Sequence, residues 1–332
     1  MKHIYPRALL SLLLAAILLV LPSCHSVHTA EDVVWHMDTA ITLRLYGDQA
    51  ATEAALRDAD ILLASLDDQL SAAKRGNEIA AINQAAQGVP VPLSDDLYAL
   101  IARANAISHV CGGAFDITIA PLNHLWKTCE AEGVLPTKTQ LTAALSSVGH
   151  EKLSLNENAL VKADDALKID LGGIGKGYAI DRLVAELHGR SGISGGLISF
   201  GSNIAVFGEK PDGKPFVVAI RDPKDAAGVL GYVTLTQGQV LSVSGDYERF
   251  YTIGGQTYGH ILDPATGYPP ANGLRSVAVI AADGTLADAL STAFMVMGEE
   301  AARALYEDNV LDFEAIFVYD NTVSKTDGFV LQ

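Results

Sequence analysis

Cysteine is scarce in this chain: Cys24, Cys111 and Cys129 are the only three among 332 residues. No CxxC pair and no His/Cys cluster occurs, which removes the usual frames for structural zinc and for a disulfide-stapled fold. Cys111 and Cys129 read as packing residues, with a bond between them left open. Positive charge is scarce too. Against 39 Asp and Glu stand 23 Lys and Arg, a formal net charge of −16. Such a surface repels phosphate backbones and excludes free DNA or RNA as partners. A small phosphorylated ligand remains admissible if a cation or local donors screen it. Neither a periodic repeat nor a low-complexity tract is present. The N-terminal apolar run, "ALLSLLLAAILLVL" from Ala8 to Leu21, is shorter than the ~20 residues of a spanning helix. What the chain does have is 49% hydrophobic and 19% charged residues, enough to fill a core.

The N-terminus has the marks of an export signal. Lys2 and Arg7 precede the apolar run, and "LPSC" follows it. A small residue before a cysteine at that place resembles a bacterial lipoprotein signal. On this reading residues 1–23 are removed and Cys24 carries lipid; an ordinary cleaved signal peptide is the alternative. Residues 24–34 then form a polar tether, and residues 35–332 form the functional domain.

Beyond the tether, "WHMDTAITLRLYG" reads as extended. Leu56, Leu63 and Leu70, with Ala59, Leu62 and Leu66, recur at helical spacing. Ser94, followed by Asp95 and Asp96, predicts the start of a second helix, and Thr137 that of a third. From Leu167 onward short β-type runs are bunched: "LKIDL", "GLISFGSNIAVFG", "FVVAIR", "GYVTLT", "QVLSVSG" and "RFYTIGG". Helical segments interrupt them near Gly177–His188 and Ala287–Met297. Bunched strands imply an α+β fold with mixed or antiparallel sheets and flanking helices, not a doubly wound sheet.

Four stretches carry candidate chemistry. "IDLGGIGKGYAIDR" fails the Walker A pattern, because Asp170 stands first and Gly177 follows Lys176. It fails GxGxxG as well, since its glycines fall at 172, 173, 175 and 177. Glycines before a helix start still allow close approach of a ligand to backbone N–H groups. In "LADALSTAFMVMG", Asp288, Ser291 and Thr292 share one helix face, and oxygen donors of this kind suit Mg²⁺. Helix capping by Asp288 is the structural alternative. "YGHILDPATGYPP" holds His260, the one side chain there able to carry a proton near neutral pH. "VCGGAFDITIAPL" offers a glycine turn, the aromatic face of Phe115 and the carboxylate of Asp116. Alone, each has a structural explanation.

In this order, "GGAFDITIAPL", "DLGGIGKGYAID", "HILDPATGYP" and "ADALSTAFMVMG" resemble the four main motifs of the FAD:protein FMN transferase (ApbE) family. The resemblance runs from about Trp35 to the C-terminus. It implies a T-fold-like architecture, FAD as substrate, Mg²⁺ as cofactor, and transfer of FMN through a phosphoester to a Thr or Ser of an acceptor protein, with AMP released. Redox-pump subunits and exported flavin reductases are the implied acceptors. An FAD pyrophosphatase and a non-catalytic flavin-binding lipoprotein are the rival readings. Carried over by motif, the metal ligands are Asp288, Ser291, Thr292 and the carbonyl of Gly173. Met37, Ala114, Phe115, Asp116, Asp170, Lys176 and Leu262 contact FAD. His260 takes or orients the acceptor's proton, and Asp288 is catalytic through the metal. Three positions depart from the family pattern: Ala73, where an aromatic residue often covers the flavin, Ser202, where a second glycine is common, and Gly175, where Ala is usual. The implied location is exported and lipid-anchored, facing the periplasm or the cell exterior.

Overall fold

The structure, a computed structural model, describes residues 27–332 except Ala226. The expected signal segment and Cys24 lie outside these residues. The chain enters as a hairpin of β1 (His28–His36) and β2 (Thr39–Gly47), paired in continuous register. Met37 and Asp38 make the turn with φ of 52° and 57°, the two positive values a type I′ hairpin requires. This corrects the expected tether: strand begins at His28, well before residue 35. β1 is an edge strand with mostly exposed side chains, so its polar sequence resembles a linker.

Helices α1 (Gln49–Leu70), α2 (Glu78–Gln84), α3 (Asp95–Val110), α4 (Ala120–Glu132) and α5 (Lys138–Leu145) follow. Ser94 caps α3, accepting from Leu97 N–H, and Thr137 with Gln140 forms a reciprocal capping box at α5. A small sheet joins β3 (Val91–Pro92), β4 (Leu153–Asn156) and β5 (Ala159–Lys162) in the order β3-β5-β4. "LKIDL" is not a strand. Its backbone at Ile169 bonds in both directions to the Asn83 amide, at 2.7 and 3.0 Å, so a side chain replaces a partner strand.

After α6 (Gly175–Leu187) come β6 (Ile193–Ser199), β7 (Asn203–Gly208), β8 (Phe216–Arg221), β9 (Val229–Leu235) and β10 (Val240–Gly245). The remaining elements are β11 (Phe250–Ile253), β12 (Gln256–Gly259), β13 (Ser276–Ala281), α7 (Gly284–Glu307), β14 (Phe313–Val318) and β15 (Val323–Lys325). Eight strands make the main sheet, in the order β1-β2-β6-β7-β10-β13-β14-β15. Every strand pairing among the described residues is antiparallel, and the fold is α+β as expected.

The period-2 alternation of the strands decides the layers. Ile41, Leu43, Leu45, Val277 and Val279 pack on one side with residues of α1, α6 and α7. Tyr46, Val206, Ala278 and Ile316 point the other way, beneath the β8–β9 hairpin. A third cluster packs α4 and α5 against β11 and the Leu262 segment around the fully buried Trp126. Trp126 donates to the Gly267 carbonyl at 2.7 Å and sits against Tyr251, Tyr258 and Tyr268. That anchor fixes the loop following His260. Cys111 and Cys129 are both buried free thiols.

Candidate functional site

The site is built where α6 crosses α7. A Cβ on Gly177 would come within 2.5 Å of the Gly284 carbonyl carbon and 2.7 Å of Asp288 Cβ, so the backbones touch there. Each helix caps the other. Gly177 N–H, an unpaired donor in the first turn of α6, donates to Asp288 Oδ2 of α7 at 2.9 Å. Asp181 of α6 accepts from Gly284 N (2.6 Å), Thr285 N (2.8 Å) and Thr285 Oγ1 (2.5 Å) at the start of α7. Burial pushes the Asp181 carboxyl upward. Asp288 does not cap its own helix; Asp283 does, accepting from Leu286 N–H.

Around Asp288 the structure gathers hydroxyls. Ser291 Oγ lies 3.1 Å from Ser242 Oγ and 2.8 Å from Ser244 Oγ, and Ser244 Oγ is 3.5 Å from Thr292 Oγ1. Ser242 also reaches Asp288 Oδ1, at 3.4 Å. Gly173 closes the group: a Cβ placed on it would stand 3.5 Å from Thr292 Oγ1. Thus the glycine stretch and the late helix, more than 100 residues apart in sequence, face each other. Among the described residues no group of three or more His, Cys, Asp or Glu could hold a metal. The donor set is one carboxylate and several hydroxyls, all hard oxygens. Such a set fits Mg²⁺ when substrate phosphates and water complete the shell.

Cations stand at the rim. Lys176 Nζ donates to Ser202 Oγ at 3.2 Å, so the serine found where glycine is common tethers this lysine. Arg249 donates to the Asp38 carbonyl at the tip of the β1–β2 hairpin, at 3.3 Å. His260 Nδ1 is 2.9 Å from the Arg249 carbonyl. A carbonyl only accepts, so Nδ1 carries the hydrogen and Nε2 keeps a free lone pair. Desolvation, joined by the charges of Arg249 and Lys176, lowers the His260 pKa to about 4. Glu248 is pushed upward by desolvation, with Lys176 and Arg221 opposing. The local field is therefore more positive than the net charge of the chain suggests.

The remaining expected FAD contacts divide. Met37 lies over the glycine stretch, its Cε 3.4 Å from a Cβ placed on Gly175. Asp170 is half-buried and held by Gly172 N–H (2.8 Å) and Asn123 Nδ2 (3.0 Å). Ala114 is half-buried beside the turn that positive φ at Gly112 and Gly113 allows. Phe115 and Asp116 turn inward. The Phe115 ring lies 3.2 Å from a Cβ placed on Gly173, beneath the glycine stretch. Asp116 accepts from Thr118 N (2.8 Å), Thr118 Oγ1 (2.6 Å) and His150 N (2.7 Å), so both its oxygens are engaged within the protein. Both residues support the loop in this structure. Leu262 is buried in the Trp126 cluster.

Ser242, Ser244, Glu248 and Arg249 escaped the reading of the sequence. The signal for the serines was present: "QVLSVSG" places both on one face of a strand.

A family model, the ApbE family, matches residues 37–317. A FAD:protein FMN transferase of Vibrio cholerae is 32% identical over 272 residues, covering 81% of this chain and 79% of its own. One from Haemophilus influenzae is 31% identical over 284 residues, covering 82% and 81%. The crystal structure of an ApbE protein from Thermotoga maritima superposes with a TM-score of 0.82 at 28% identity, over 90% of this chain and 97% of that one.

Proposed function

This chain belongs to the ApbE family, and from that premise we propose that it cleaves FAD and transfers FMN to a Thr or Ser hydroxyl of an acceptor protein, releasing AMP. The observation that supports this reading best is the oxygen cluster of Asp288, Ser291 and Thr292 facing Gly173. A flavin carrier has no need of such a cluster. Asp288, Thr292, Ser291 and the Gly173 carbonyl would hold Mg²⁺. When bound, the ion supplies charge neutralisation at the pyrophosphate.

The chain's own groups do the positioning, which dominates phosphoryl transfer. Lys176, held by Ser202, offers a cation to the phosphates. Met37 and Asp170 bracket the glycine stretch from outside. His260, unprotonated at Nε2, accepts the acceptor hydroxyl's proton as that oxygen attacks the FMN phosphorus; the bond to AMP breaks. Cleavage to FMN and AMP follows when water takes the acceptor's place.

We read the N-terminus as a lipoprotein signal, with Cys24 anchoring the enzyme on the outer side of a bacterial membrane. A fatty-acid label lost on Cys24→Ser would support this, and one retained would refute it. For the activity, the protein is incubated with FAD, Mg²⁺ and acceptor. A fluorescent band surviving denaturing electrophoresis, with AMP formed in equal amount, is the expected result. FAD recovered intact after long incubation would overturn the proposal.

A further inference from the structure

A groove of about 490 Å³ opens beside the site, lined by Thr257, Gly259, Ile261, Pro269, Pro270 and Met295 among others. Three of its walls continue into the site. Gly259 and Ile261 flank His260 in the chain; Met295 lies about one turn beyond Thr292 on α7; Asp246, also in the lining, follows Ser244 by two residues.

One wall is an open strand edge. β12 pairs only with β11, through a two-residue turn at Gly254 and Gly255 whose φ values are 59° and 80°. Such a turn closes on a hydrogen-bonded pair, here Ile253 with Gln256. Alternation then leaves Thr252 with Thr257, and Phe250 with Gly259, as pairs that point their N–H and C=O groups outward. Two observations agree with this phase. Thr252 N–H donates outward to Glu130 at 2.7 Å, and His260 N–H returns to the Arg249 carbonyl at 3.3 Å. On β12 the outward groups belong to Thr257 and Gly259, the residues lining the groove, and they have no hydrogen-bond partner among the described residues. The only charged residue in the lining, Asp246, is matched by Arg275 at 2.8 Å.

We propose that this groove seats the acceptor protein, taking its hydroxyl-bearing segment as an added strand along β12 that runs past His260. The inference rests on the transferase reading above, which requires a second, polypeptide substrate. Main-chain bonds to Thr257 and Gly259 give affinity, and the apolar, charge-matched floor selects an extended segment with small or apolar side chains next to the Thr or Ser.

Two variants test it with the acceptor domain that the wild-type enzyme labels, purified. Thr257→Pro removes an outward N–H while sparing the bonds to β11. Ala271→Trp fills the groove from its exposed rim. Thr257→Pro should raise the acceptor KM about three- to tenfold, the effect of one lost hydrogen bond. Ala271→Trp should raise it roughly tenfold or more. Acceptor-free cleavage of FAD and the FAD Kd should not change in either. An unchanged acceptor KM in both variants overturns the proposal, and so does loss of FAD binding in Ala271→Trp, which would make the groove part of the nucleotide site. Absence of any labelling by the wild-type enzyme would instead bring down the transferase reading itself.

Discussion

Gly177→Ala is the most informative single change. In an exposed helix, alanine for glycine stabilises by roughly 1 kcal/mol. Here the sign reverses. The new methyl would lie 2.5 Å from the Gly284 carbonyl carbon and 2.7 Å from Asp288 Cβ, whereas carbon atoms pack at about 3.5–4.0 Å. Relief demands that α6 and α7 separate by about 1 Å, and neither neighbour is the free end of a flexible chain. Overpacking of this kind costs about 1–3 kcal/mol, or a fall in Tm of roughly 1.5 °C per kcal/mol for a chain of this size. The separation also pulls Asp288 from the Gly177 N–H and from the serines of β10. Misplacement by about 1 Å at a reacting centre costs on the order of 10²-fold in rate. Thermal unfolding and FAD turnover at saturating Mg²⁺ measure the two effects. A variant as stable as the parent and within twofold of its rate (about 0.4 kcal/mol) would refute the reciprocal capping as the basis of the site.

Four other outcomes follow from the structure. Asp288→Ala should lower kcat by about 10²- to 10³-fold while FAD still binds; full turnover of that variant in chelator would remove the metal from the account. For the free enzyme, the acid limb of kcat/KM should fall near pH 4, where His260 takes its proton, and a limb at 6.5 would contradict the lowered value. Stability should drop as pH falls from about 6.5 to about 4. The unfolded chain binds a proton at His260 below about 6.5 and the native protein only near 4, so acidification favours unfolding, and His260→Ala should flatten that slope. Cys111, buried and with its thiol pushed up to about 12, should resist alkylation in the native protein and react only once unfolded. Rapid native labelling would show that α3 opens.

Much of this molecule was legible in its residues. Ser94 and Thr137 announced their helices through capping chemistry, and the bunched β-type runs pointed to α+β. Asp288, Ser291 and Thr292 declared themselves by spacing on one helix face. Less legible was anything settled by a distant partner. β1 looked like a tether because an edge strand needs few apolar residues, and "LKIDL" looked like a strand because the Asn83 amide that satisfies its backbone lies far off in sequence. Nothing local reveals that the Phe115 ring will slide under Gly173 or that His150 will come to donate to the Asp116 carboxylate. Ser242 and Ser244 gain meaning only when β10 is laid beside α7.

The most direct measurement is the position of a divalent ion in crystals soaked with Mn²⁺ and FAD, located by anomalous scattering. The account predicts one strong peak at about 2.0–2.2 Å from Asp288 and Thr292 oxygens, within reach of the Gly173 carbonyl and on the pyrophosphate. A peak held by other residues, or FAD cleaved in the crystal with no ion between α7 and the glycine stretch, would contradict it.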